Sequence, residues 1–141
     1  MKPIAPIVVA GRVLLALIFI IAGFGKLAGL EGSAGYIASK GLPFPTALAL
    51  GAGVLELVGG IALAIGFQAR WSALALAAFT LVATVLFHNY WAMPADQQMV
   101  QQLMFMKNLA IVGGLLLVFS LGAGPASLDA RRETRGTLVA A

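Results

Sequence analysis

Residues 7–27 read IVVAGRVLLALIFIIAGFGKL, a hydrocarbon run interrupted by Arg12 and closed by Lys26. At 1.5 Å per residue a helix of this length crosses a hydrocarbon layer of about 30 Å. An ionised side chain at the centre of that layer costs roughly 2.5–3.5 kcal/mol even on the lenient insertion scale. Arg12 must therefore turn inward, toward other polar groups, or snorkel to the headgroups. The run also follows Lys2, as the apolar core of a secretion signal would. Arg12 breaks it, however, and no clean small-x-small cleavage site follows, so a retained membrane helix is predicted.

The rest of the chain repeats the theme. It has 141 residues, 61% hydrophobic and 10% charged, with a mean hydropathy of +1.00, far above what a soluble fold tolerates. Four spans are predicted, at 7–27, 47–66, 71–90 and 103–121. The fold class is thus an all-α four-transmembrane-helix bundle, one domain over 1–121, followed by a small, polar and basic tail, 122–141, expected to be mobile. In the first connection, 28–46, Leu30, Ala34 and Ile37 recur at helical spacing before Gly41 and Pro43 stop the pattern. A short interfacial helix and an extended Pro-Phe-Pro turn are expected there. The second connection, around 68–70, is a tight turn, and the third, 92–102, reads as a polar, Gln-rich loop. No internal repeat or low-complexity segment is present.

Charge sets the expected topology. Lys2, Arg12, Arg70, Arg131, Arg132 and Arg135 fall on one side, and Lys26, Lys40 and Lys107 on the other. The excess of basic groups places both termini in the cytoplasm. Trp71 and Tyr90-Trp91 suit opposite aromatic belts. The net charge of +4 is scattered, which disfavours nucleic-acid binding. Cysteine is absent, excluding thiolate chemistry and Cys-ligated iron–sulfur clusters. A single histidine cannot supply a bis-histidine haem, and one His with one Glu falls short of the three protein ligands of a catalytic zinc. No metal site is expected.

Few polar residues lie within the spans. Helical projection stacks Arg12, Phe19 and Lys26 on one face of the first helix. Glu56 shares a face with Ala52, Gly53, Gly59 and Gly60, small residues that let membrane helices touch. Thr80, Thr84 and His88 form a stripe on the third helix. Lys107 and Gly114 share a face of the fourth, with Asn108 at its shoulder. With both termini inside, Lys26, His88 and Lys107 all approach the outer boundary, above Glu56. Each has a bland reading: Lys26 as a snorkelling anchor, Arg12 as the same or as a partner of Glu56, His88 as a structural residue. Their convergence in depth points instead to a pocket. A buried carboxyl must be protonated, paired or solvated, so Glu56 is expected within reach of Arg12, Lys26, His88 or Lys107. Imidazole and ammonium donors suit carbonyl oxygens, and Glu56 and His88 can exchange protons. A small polar or quinone-like headgroup matches this inventory.

The run from Arg12 through Phe19 to Gly23-x-Gly25-Lys26-Leu27, then Gly41-Leu42-Pro43, resembles the opening of the DoxX family. Glu56-x-x-Gly59-Gly60-x-x-Leu63-x-x-Gly66, Phe87-His88-Asn89-Tyr90-Trp91 and Lys107-Asn108-Leu109-Ala110-x-x-Gly113-Gly114 continue the likeness. It implies a multi-pass bacterial inner-membrane protein, associated by analogy with oxidase and thiosulfate:quinone oxidoreductase systems. Arg12, Lys26, Glu56, His88, Lys107 and Asn108 match the family's polar pattern.

The leading expectation is a membrane subunit of a redox system, an oxidoreductase subunit by resemblance, binding a quinone or similar lipophilic molecule in the outer half of the bundle. Glu56 and His88 are the candidate catalytic residues. Arg12, Lys26, Asn89, Lys107 and Asn108 are the candidate ligand-binding ones. Lipid, redox-complex subunits and a second copy of the chain are the expected partners. The alternatives are a non-catalytic assembly subunit, with Gly25-x-x-x-Gly29 as an interface, and a small-solute permease.

Overall fold

A computed structural model describes residues 4–139. It comprises α1 (Ala5–Ala28), α2 (Leu30–Ser39), α3 (Pro45–Ile65), α4 (Ala69–Phe87), a 3-10 turn (Tyr90–Ala92), α5 (Ala95–Leu121) and α6 (Leu128–Val139). Helices α1, α3, α4 and α5 are long and apolar enough to cross a membrane, and the protein is an all-α membrane bundle. The helices alternate in direction, so one end carries α2 and the 3-10 turn and the other carries α6. These are called here the pocket end and the tail end.

Helix α1 lies along α3 and α5 along α4, and the α3–α4 contact joins the two pairs. The core draws on all four spans: Ala16 and Phe19, Leu63, Ala73, Leu76 and Ala77, and Leu115. Glycines set the closest approach. A Cβ at Gly23 would stand 2.5 Å from the Leu57 nitrogen and 2.7 Å from the Gly53 oxygen, so the backbones of α1 and α3 meet there. Gly60 faces Phe19 and Ile20 in the same seam. Gly25 has nothing within 4 Å, and Gly29 approaches only its own helix. The Gly25-x-x-x-Gly29 spacing is therefore not a contact within this bundle; Gly23, two residues earlier, makes it.

The first connection folds as expected. Ala34 and Ile37 of α2 pack on Ala49 with Leu42 and Phe87, and the chain reverses through Gly41, at φ +74°, and Phe44, at φ +53°. The third connection departs from expectation. Pro94 precedes the first helical residue and Asp96 sits in the first turn, both favourable at a helix start. Gln97, Gln98, Gln101 and Gln102 consequently belong to α5 and not to a loop.

Within the tail expected to be mobile, residues 123–132 make contacts with the bundle. The two Asp129 carboxylate oxygens accept from the Gln68 and Ala69 amides at 2.8 and 2.9 Å, capping the start of α4. The Asp129 amide donates to the Gly66 carbonyl at 2.9 Å. Ser127 Oγ accepts from the Ala130 amide at 3.1 Å and starts α6. Arg132 lies over the Phe67 ring at 4.6 Å.

Candidate functional site at the pocket end

A cavity of about 540 Å³ opens at the pocket end, walled by α1, α2, α3, α4 and α5. Most of its lining is hydrocarbon: Ile18, Phe19, Leu48, Phe79, Leu86 and Ile111 among others. Its polar groups are few: Lys26, Ser33, Tyr36, Glu56, Thr80, His88, Lys107 and Asn108. An apolar cleft with a handful of convergent polar groups is the form that small-molecule sites usually take.

Glu56 is carried to the cavity on the face of α3 that packs against α1. It is 6% exposed and sits eleven residues into α3, about 16 Å along the helix. The Lys26 ammonium lies 2.7 Å from Oε2, so the expected cation comes from the neighbouring helix. Lys26 stands in the last turn of α1 and its aliphatic stem lets the ammonium reach the acid instead of the headgroups. The close α1–α3 seam at Gly23 brings the two within range. At that distance the two groups form a close ion pair across the α1–α3 seam.

The opposite wall comes from α4 and α5. Asn108 Nδ2 donates to Thr84 Oγ1 at 2.9 Å, and Thr84 donates to the Thr80 carbonyl at 2.6 Å. Thr80 likewise donates back to the Leu76 carbonyl at 2.7 Å. The threonine stripe thus satisfies its hydroxyl protons along α4 and pins α5 through Asn108. Helix α4 ends at Phe87, one residue before His88, which is its C-cap. The imidazole Nδ1 lies 2.8 Å from Gln101 Oε1, a contact in which an Nδ1–H donates to the amide oxygen. Gln101 is a partner that the loop reading of 92–102 concealed; Pro94 and Asp96 were the signals of the helix that presents it. Lys107 is exposed at the rim and touches Met104 Sδ at 3.4 Å. Above these groups α2 lies as a cover: Ser33, Tyr36 and Ile37 face the cavity, and the Tyr36 ring stacks on Phe87 at 5.5 Å.

Two candidate ligand-binding residues lie elsewhere. Arg12 is buried at the tail end, where Nε donates to the Ala64 carbonyl and Nη2 to the Ala126 carbonyl, both at 3.2 Å, and Nη1 to the Ala123 carbonyl. Carbonyls left open at the end of α3 and in the segment after α5 draw the guanidinium there, away from Glu56. Asn89 precedes the 3-10 turn, its carbonyl accepting from the Ala92 amide at 3.0 Å, and it does not line the cavity. Among the described residues no cluster of three or more His, Cys, Asp or Glu is placed to hold a metal ion.

Comparison with known proteins fits this architecture. Inner membrane protein YqjF of Escherichia coli is 42% identical over 123 residues, covering 86% of this chain and 88% of the relative. Inner membrane protein YphA of the same organism is 39% identical over 120 residues, covering 85% and 86%. The ER-derived vesicles protein ERV29 of Saccharomyces cerevisiae is 32% identical over 80 residues, 57% of this chain but 26% of its own length. No solved structure matches. The DoxX family model matches residues 7–89, which include Lys26, Glu56 and His88; with four spans and inner-membrane relatives, the chain belongs to the DoxX family of multi-pass membrane proteins.

Proposed function

We propose that the chain is a membrane subunit of a redox system whose cavity binds the headgroup of a quinone or similar lipophilic molecule. The observation that carries this reading is the grouping of Lys26–Glu56, His88, Lys107 and Asn108 around one largely apolar cavity. The fit is chemical as well as steric. His88 and Lys107 offer donors to headgroup oxygens, and the Glu56 carboxylate can accept from a headgroup hydroxyl. A quinone supplies reversible two-electron, two-proton chemistry when bound. The residues of this chain orient the headgroup, exclude bulk water beneath α2, and hold a proton at Glu56 or His88 Nε2. Lys26 keeps the Glu56 charge tolerable in its apolar surroundings. The surplus of arginines at the tail end supports an orientation with both termini in the cytoplasm, which puts the cavity in the outer half.

Purified protein is expected to bind a quinone analogue, and His88→Ala to weaken binding at least tenfold, about 1.4 kcal/mol. Unchanged affinity in both His88→Ala and Glu56→Gln would remove the assignment. A second reading, an assembly subunit, draws on one observation: the Lys26–Glu56 pair bridges α1 and α3 where their backbones touch. In that case Glu56→Gln changes bundle stability and leaves ligand affinity unmoved.

A further inference from the structure

A second concavity, of about 590 Å³, lies at the tail end between α4, the end of α5 and the start of α6. Its charged lining is Arg70, Asp129, Arg132 and Glu133, and its apolar lining includes Trp71 and Leu121. We propose that this bay seats the phosphate of an anionic phospholipid, with the acyl chains lying along Trp71 and Leu121.

The donors face it with capacity to spare. Arg70 uses Nη1 on the Phe119 carbonyl at 3.1 Å. That is one of a guanidinium's five N–H groups, and it fixes the side chain across Gly122, where an added Cβ would meet Arg70 Nε at 3.4 Å. Arg132 holds its guanidinium carbon 4.6 Å from the Phe67 ring centroid, which anchors the side chain beside the bay. A planar guanidinium edge matches phosphate oxygens better than an ammonium does. One acid of the bay is already committed, since both Asp129 oxygens cap the α4 amides. Glu133 also lines the bay and has an interaction of its own. Around it the tail end gathers Arg12, Arg70, Arg131, Arg132 and Arg135 against Asp129 and Glu133 among the described residues. Basic clusters beside a membrane helix attract anionic lipid.

The bay is also amphipathic in the way a phospholipid requires. Trp71 is 66% exposed and Leu121 76% exposed, at the membrane-facing ends of α4 and α5. Trp71 is held edge-on against Phe119 at 6.4 Å, an interfacial ring in a fixed place. A small soluble anion would use the arginines but leave this apolar rim unused.

Trp71 is its own probe. With Trp91→Phe it becomes the single tryptophan, and brominated acyl chains quench it on contact. Brominated phosphatidylglycerol in mixed bilayers is expected to half-quench Trp71 at about a tenfold lower mole fraction than brominated phosphatidylcholine. Arg70→Gln with Arg132→Gln is expected to abolish that preference while leaving quenching by phosphatidylcholine intact, which shows the helix still inserted. Arg131→Gln with Arg135→Gln is expected to keep it. Equal quenching by the two lipids would overturn the proposal. So would a preference lost as fully on removing Arg131 and Arg135, which marks diffuse surface attraction. Inorganic phosphate reversing the preference would assign the bay to the free anion and overturn the lipid.

Discussion

At the depth of Glu56 a carboxylate persists only beside a cation, and Lys26 is that cation at 2.7 Å. Each charge therefore makes the other tolerable, and removing one is worse than removing both. Lys26→Met is expected to destabilise the bundle on the order of 2 kcal/mol, or to leave Glu56 protonated, with Glu56→Gln in the same chain restoring most of the loss. Reversible unfolding in mixed micelles checks this; additive losses would show that the two do not interact. Much of the pair was legible in the sequence, since a mid-span acid among Ala and Gly demands help from another helix. Which helix supplies it was not. Lys26 at a helix end looks the same whether it snorkels outward or reaches inward, and only the α1–α3 approach at Gly23 decides. Arg12 shows the converse: snorkelling and an inward turn toward Glu56 were both open, and its partners are backbone carbonyls of α3 and the tail, groups that carry no signature in sequence.

The spans themselves were readable because hydrocarbon runs of this length have few other uses. Their ends were less so. Helix α4 stops one residue before His88, and α5 begins eight residues before its hydrophobic run, carried into polar sequence by Pro94 and Asp96. That extension brings Gln101 to His88. Small residues were informative in kind but not in place, because one helix face cannot be told from the next until a partner is present. Gly23→Ala forces a methyl into the Leu57 and Gly53 backbone and is expected to cost about 1–3 kcal/mol. Gly25→Ala meets nothing within 4 Å and is expected to be neutral or slightly stabilising, Ala being the better helix former. Thermal unfolding of the two variants side by side separates these outcomes, and equal losses would contradict the seam described.

For the whole molecule, division of labour follows from the alternating helices. At the tail end Arg12, Asp129 and Ser127 tie loop, helix ends and α6 together beside the bay of Arg70 and Arg132. The pocket end is open beneath α2 and gathers most of the polar side chains that lie within the spans. On the reading proposed above, a lipophilic molecule would enter the pocket end from the membrane. The most direct test is where such a molecule sits. A photoreactive quinone analogue bound to the protein in nanodiscs, irradiated and mapped by peptide mass spectrometry, is expected to label Tyr36, Phe87 or His88 and the α5 turn around Asn108, with excess unlabelled quinone suppressing all of these adducts. Labelling confined to the lipid-facing side of α5, at Met99 and Met106, and insensitive to competitor, would contradict it.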